Sequence, residues 1–177
     1  MREPEPSTIT AAAAGDTAAF VELVQLYQLP VWRFLTRLLN DPTLAEDITQ
    51  DTFVRVHRGL AGFTGRSRFS TWVFGIARNA GLDTIRRQQR RPQIVGEVPA
   101  EMSTRAEVGA RLEIEAALGS LPLRQREALL LVEVLGLTYR EAASLAAVAE
   151  GTIKSRVYYA RLHLHRWMQQ GARADEL

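Results

Sequence analysis

Ser120–Trp167 reads SLPLRQREALLLVEVLGLTYREAASLAAVAEGTIKSRVYYARLHLHRW, and three helices can be marked in it. Pro122 suits a first helical turn, where a missing N–H is harmless. Leu123 to Leu135 supplies a mostly apolar run, and Gly136 is placed to stop it. Thr138-Tyr139-Arg140-Glu141 has the spacing of a capping box, in which hydroxyl and carboxylate each take an orphan N–H. The short helix after it puts Ala142, Leu145 and Ala146 on one face. Residues 147–151 read as a turn. A last helix starts near Gly151-Thr152, with Ile153, Val157, Ala160 and Leu164 recurring at three and four. Its other face carries Thr152, Lys154, Ser155, Arg156, Tyr158, Tyr159 and Arg161.

A short helix, a tight turn and a basic, hydroxyl-rich second helix describe a helix-turn-helix, whose second helix fits the DNA major groove. The same periodicity also suits a helical hairpin with a solvated basic face. Charge favours DNA. Residues 151–170 hold Lys154, Arg156, Arg161 and Arg166 and no acid, +4 in a chain whose total is +2.

The 177 residues suffice for one domain or two small ones, and 46% hydrophobic residues is ordinary for a globular chain. No apolar run is long enough to span a membrane, and the start MREPEPSTIT lacks the pattern of a secretory signal. Cysteine is absent, which excludes disulfides and thiolate metal sites and fits a cytoplasmic location. His57, His163 and His165 are too scattered to suggest a metal site, and no P-loop or catalytic triad spacing is present. Arginine supplies 21 of the 22 basic residues, which suits phosphate and guanine, though a G- and C-rich genome would do the same.

Residues 1–10 read as a loose tail. From Thr17, Phe20, Leu23, Val24 and Tyr27 share a helix face, followed by Val31, Phe34, Leu35 and Leu38. Pro30 between the two sets is expected to kink or split that helix. Asp41 is a good N-cap and Pro42 a good first residue for the next, with Leu44, Ile48, Phe53, Val56 and Leu60 inward. On another face Asp47 and Asp51 are like charges one turn apart. Asp51 either pairs with Arg55 on a solvated surface or belongs to an acidic face kept for a basic partner.

A loop around Gly62 and Gly65 leads to a helix capped by Ser67 or Ser70 and running to about Gln89, with Phe69, Trp72, Val73, Ile76 and Ala80 as its buried stripe. Residues 62–91 carry seven arginines against Asp83 alone, a net +6, which leaves about −8 for the rest of the chain outside the two basic segments. Phe63, Phe69, Trp72 and Phe74 lie beside those arginines. Rings that stack bases next to cations that follow phosphates make a single-stranded nucleic-acid site. Phe69 and Trp72 also fit a core at this spacing, and Phe63, in the loop, is the freer candidate. Residues 92–110 hold two prolines and two glycines and read as a linker. A helix resumes near Ala106–Leu118, with Val108, Leu112 and Leu118 as partial core, and the tail GARADEL reads as frayed.

Two sets of motifs resemble one family. Gly151-Thr152-Ile153-Lys154-Ser155-Arg156 and LPLRQREALLLVEVLGLTYREAA are similar to region 4 of the ECF (extracytoplasmic function) sigma factors. AEDITQDTFVRVHRGLAGF is similar to their region 2.2, and SRFSTWVFGIARNAGLDTIRRQQRR to regions 2.3 and 2.4. The order matches, and no segment is long enough for the middle domain of housekeeping sigma factors.

The resemblance implies an all-α chain of two small helical domains joined by a flexible linker: region 2 over 8–91, linker over 92–110 and region 4, the helix-turn-helix, over 111–171. It implies a non-enzymatic factor without cofactor, metal or small-molecule substrate, which binds core RNA polymerase through the β′ clamp helices and β flap and selects promoter DNA. Asp47, Gln50 and Asp51 match the clamp-docking face. The loop 62–68, with Phe63, Arg66 and Arg68, matches the loop that pockets a flipped base of the −10 element, and Asn79, Asp83, Arg86 and Arg87 lie on the adjoining helix. Arg140, Thr152, Lys154, Ser155, Arg156, Tyr158, Tyr159 and Arg161 match the surface that reads the −35 duplex. The family further implies an anti-sigma factor, which could hold the protein at the membrane. Ala149 stands where the family often has Pro, and Tyr159 where it often has a basic residue, so the preferred −35 sequence is left open. A stand-alone helix-turn-helix repressor or activator is the alternative; it has no use for the acidic Asp47/Asp51 face.

Overall fold

The computed structural model describes the backbone of residues 2–90 and 107–174, and the side chains of residues 2–89 and 113–169. Among them all regular structure is helical. Packing divides the chain into two units between Ile85 and Arg86.

The first unit contains α1 (Pro6–Ala13), α2 (Thr17–Leu39), α3 (Pro42–Gly59), a 3₁₀ turn (Leu60–Gly62) and, as far as Ile85, α4 (Phe69–Arg90). Asp16 caps α2 by accepting from the N–H groups of Ala18 and Ala19, and Asp41 caps α3 by accepting from Leu44 N–H at 2.9 Å, with Pro42 following as expected. Pro30 does not split α2. Leu23, Tyr27, Val31, Phe34, Leu35 and Leu38 form one stripe, each at most 1% exposed, and burial of that stripe holds both halves in one helix despite the missing N–H. The inward face of α3 is smaller than expected: Ala45, Thr49, Thr52 and Val56 are buried, while Leu44, Ile48 and Phe53 are half-buried. The two threonine hydroxyls donate to carbonyls one turn back, at 2.7 Å each, so their burial leaves no donor unmet.

In α4, Phe69, Val73, Phe74, Ala77, Ala80 and Leu82 are buried; Trp72 and Ile76 are half-buried. Phe74 is therefore core: its ring meets Phe34 edge-on at 5.5 Å. Gly81 lets α4 approach α2 closely, since a Cβ there would lie 3.1 Å from a Leu35 methyl. The helix starts at Phe69, so Ser70 sits inside its first turn and Ser67 before its cap position. The start of the chain is also not loose. Besides α1, Arg2 accepts a hydrogen bond from the Tyr27 hydroxyl, and Glu3 bonds to Ser70.

The second unit contains α5 (Glu107–Ser120), α6 (Leu123–Leu129), a π turn (Leu130–Val134), α7 (Tyr139–Ala146) and α8 (Glu150–Ala174). α5, α6 and α7 pack on α8. The single helix expected over 123–135 becomes α followed by π: Leu135 N–H donates to Leu130 C=O at 3.0 Å, and Gly136 turns the chain at φ +66°. The wider turn shifts the phase of the helix, so that Leu129, Leu130, Leu131, Leu135 and Leu137 are all buried. The capping box is present: Thr138 Oγ1 accepts from Glu141 N–H at 3.2 Å, and Glu141 accepts from Thr138 N–H at 2.8 Å. Arg126 donates to the carbonyls of Gly119 and Leu121, at 2.6 and 3.1 Å, tying the end of α5 to the start of α6.

α8 begins one residue earlier than expected, at Glu150, and continues through Ala174, into the segment expected to fray. Ile153, Val157 and Ala160 are at most 1% exposed, and Leu164 is half-buried. α5 starts at Glu107, one residue after the Ala106 expected for it and inside the linker assigned to 92–110. Residues 92–106, the side chains of Val108 and Leu112, and residues 175–177 lie outside the described residues.

Ala147, in the turn between α7 and α8, has φ +54° and ψ +48°. Left-handed backbone costs an ordinary L-residue about 1–2 kcal/mol, and Gly avoids that cost at some loss of unfolded-state entropy. Ala147→Gly is expected to stabilise the second unit by about 0.5–1 kcal/mol net in urea unfolding. A loss of stability would contradict the left-handed turn.

Candidate nucleic-acid and polymerase interface

Three groups of solvent-facing residues emerge from this packing. On α3, Asp47 and Gln50 are exposed, and Asp51 is half-buried with its carboxylate 2.7 Å from Arg55. The local pairing anticipated for Asp51 is thus present. It relieves the repulsion between the two aspartates, although both members are about 40% exposed and the pair is weak in water. Beside Gln50 lies a shallow groove of about 570 Å³, bordered by Leu29 and Trp32 of α2 and Glu46 of α3.

The second group surrounds the loop before α4. Gly65 takes φ +70° in a bend over residues 65–67, and Arg66 and Arg68 are exposed. Phe63 is half-buried. Its ring meets Phe69 edge-on at 5.4 Å and Trp72 at 5.1 Å, and Phe69 and Trp72 touch at 5.6 Å. The three rings form one cluster, with Phe69 as its buried base and parts of Phe63 and Trp72 open to solvent. Along α4, Asn79, Asp83, Arg86 and Arg87 follow at helical spacing; Asn79, Arg86 and Arg87 are exposed and Asp83 is half-buried. Arg78, 8% exposed, donates to the Asn79 side chain at 2.9 Å, which orients that amide.

The third group covers the outer face of α8 and the start of α7. Burial of Ile153, Val157 and Ala160 turns Lys154, Ser155, Tyr158, Tyr159 and Arg161 outward, with Thr152 and Arg156 half-buried at the edges. Tyr158 and Tyr159 are 64% and 54% exposed, with ring centroids 5.4 Å apart. The Ser155 hydroxyl donates to Gly151 C=O at 2.7 Å, so toward a ligand it is chiefly an acceptor.

Two acids that sequence reasoning missed enter this surface. Glu150 is 2.8 Å from Lys154 and 3.9 Å from Arg140. The hydrogen bond and charge of Lys154, then the charge of Arg140, hold the Glu150 carboxyl below its usual range. A lowered carboxylate pKa means the pair is fully formed above the ordinary carboxylate range and is lost only as pH falls through the lowered value. Lys154 also lies 5.8 Å from the centroid of the Tyr139 ring. Glu133 of the π turn binds Arg161. The Glu150–Lys154 pair is legible as an i,i+4 spacing, whereas Glu133 and Arg161 are 28 residues apart and meet only through the fold.

Residues 23–91 match the family Sigma-70 region 2, and residues 111–164 match Sigma-70, region 4. An ECF sigma factor of Mycobacterium tuberculosis, SigC, is 37% identical over 155 residues, covering 85% of this chain and 83% of its own. The chain belongs to the ECF sigma factors. Its fold agrees. The sigma factor RpoE of Bartonella quintana, solved with the anti-sigma factor NepR, superimposes with a TM-score of 0.70 at 28% identity, over 85% of this chain and 96% of the other. CnrH, solved with the cytosolic domain of CnrY, gives 0.71 at 26% identity, over 93% and 96%. This sigma factor directs transcription initiation by RNA polymerase at promoter DNA. Among its described residues no helix is long and apolar enough to cross a membrane.

Glu133 masks one cation of the outer surface of α8. Glu133→Gln should release Arg161 for a phosphate and remove a repelling charge. The expected result is tighter binding to duplex DNA, with a log–log salt slope steeper by about one. Filter binding across a salt series measures it; an unchanged slope would show that Arg161 does not touch a phosphate.

Proposed function

We propose that the three groups divide the work of promoter-specific initiation between them. Asp47, Gln50 and Asp51 dock core polymerase at its β′ clamp helices. Phe63, Arg66, Arg68, Asn79, Asp83, Arg86 and Arg87 engage the −10 element, with unstacked bases held against the rings and phosphates along the arginines. Arg140, Thr152, Lys154, Ser155, Arg156, Tyr158, Tyr159 and Arg161 read the −35 duplex from the major groove. The domains assigned on this reading are 8–91 and 111–171, joined through 92–110; residues 2–7 belong with the first because they pack on it. The factor contributes promoter choice, and the chemical steps are those of the polymerase.

The observation that carries the reading is the rotation of α8. With Ile153 and Val157 shut from solvent, Lys154, Ser155 and Tyr158 can only face outward, within the first turns of a helix whose N-terminal end would enter the groove. Acidic α3 against basic α4 and α8 suits one protein partner and one nucleic-acid partner, which a stand-alone repressor does not require. Both solved relatives were captured with proteins that bind them, RpoE with NepR and CnrH with CnrY. By the same chemistry this factor is held in check by an anti-sigma factor and acts in the cytoplasm.

Two experiments test the assignment. Asp47→Arg with Asp51→Arg should abolish co-purification with core polymerase and keep helical content; normal core binding by the double variant would remove that face from the reading. For α8, a library of −35 sequences transcribed by wild type and by Lys154→Ala separates base recognition from phosphate binding. If Lys154 bonds to a base edge, its removal should cost about 1–3 kcal/mol and relax preference at one position. Uniformly lower output with unchanged ranking would place Lys154 on a phosphate, and unchanged output would mean that α8 does not enter the groove.

A further inference from the structure

The family match begins at residue 23, yet the residues before it are built into the first unit. α1 packs along α2 and against the 3₁₀ turn that leads to Phe63. Ahead of α1, the carbonyl of Arg2 accepts the Tyr27 hydroxyl at 3.1 Å, and Tyr27 is closed to solvent. Burial, and next the charge of Glu3, push the Tyr27 phenol above its ordinary range, so it keeps the proton it donates. Glu3 reaches across 67 residues of sequence to the second residue of α4. One carboxylate oxygen accepts from Ser70 N–H at 3.3 Å and the other from the Ser70 hydroxyl.

Ser70 N–H belongs to the first turn of α4, where no carbonyl of the helix can reach it, and Ser70 is only 6% exposed. A carboxylate there answers both the unmet donor and the positive end of the helix. That same turn carries Phe69 and Trp72, the rings on which Phe63 rests. Tyr27 touches Phe69 edge-on at 5.6 Å. Two separate links therefore run from residues 2–3 to the ring cluster, one through Tyr27 to Phe69 and one through Glu3 to the start of α4.

We propose that residues 2–13 are a strap that pre-orders the ring cluster Phe63–Phe69–Trp72 for single-stranded DNA, with Glu3 as the positioning residue. The inference rests on the −10 reading of that cluster. The strap touches no base itself. It holds the start of α4 and the 3₁₀ turn at the spacing that leaves Phe63 and Trp72 partly open, so less order has to be created when a base arrives.

The test uses holoenzyme assembled from core polymerase and the full chain, tagged at its C-terminus. The probe is the single-stranded oligonucleotide that wild-type holoenzyme enriches most from a randomised pool. Glu3→Ala should weaken its binding about tenfold, the scale of one charge-assisted hydrogen bond. Glu3→Gln, which keeps an acceptor for Ser70 N–H, should recover most of the loss. Core binding and the ranking of −35 sequences should not change. Phe63→Ala is the companion variant. If it weakens the probe and Glu3→Ala does not, the strap inference alone is overturned. If neither variant matters, the −10 reading of the loop fails and takes the strap with it. If Glu3→Ala and Glu3→Gln both lose core binding and helicity, Glu3 only stabilises the fold, and the positioning role is overturned.

Discussion

Ile153, Val157 and Ala160 are shut from solvent, and that burial sets what α8 can present. A helix has one rotational degree of freedom about its own axis, and an apolar stripe at three- and four-residue spacing removes it. Fully burying side chains such as Ile153 and Val157 is worth about 1.5–3 kcal/mol each. No exposed ion pair on the opposite face approaches that, so the stripe decides and the charges follow. α6 and α7 supply the surface the stripe rests on. The π turn brings Leu129, Leu130, Leu131, Leu135 and Leu137 together into the same core. The set of side chains that α8 presents to solvent is thus a consequence of packing on its inside.

The first unit uses the same logic with aromatic rings. Tyr27, Phe34, Phe69 and Phe74 are buried in edge-on pairs between α2 and α4, and the set continues outward through Trp72 to Phe63. Packing at the base of this series grades into exposure at its end. A partly open ring braced by buried rings is rigid, and a rigid platform stacks a base with little loss of side-chain freedom. The arginines around it are longer and more exposed, and suit attraction to phosphates at a distance.

Acids temper the outer surface of α8. Glu150 sits between Arg140 and Lys154, and Glu133 holds Arg161. These pairs are solvent-exposed and weakly stabilising. They bring the charge of this surface below the +4 of residues 151–170.

Local chemistry made much of this chain legible in advance. Asp41-Pro42, the Thr138/Glu141 box and the period of Ile153, Val157 and Ala160 depend on neighbours within one or two turns, and a linear sequence displays such neighbours directly. The assignment of Thr152, Lys154, Ser155 and Tyr158 to an outer face followed from that period alone. Contacts between distant segments were not legible. Pro30 stays inside one helix because a stripe buried against other helices outweighs one missing hydrogen bond. Phe74 is core because Phe34 lies opposite, and residues 2–13 are ordered because Tyr27 and Ser70 wait for them. The sequence by itself determined where α2, α3 and α7 begin and which way α8 faces, since capping and periodicity act over a few residues. Only the tertiary structure decided which apparent breaks, tails and unpaired charges were real, because their partners lie 25 to 67 residues away.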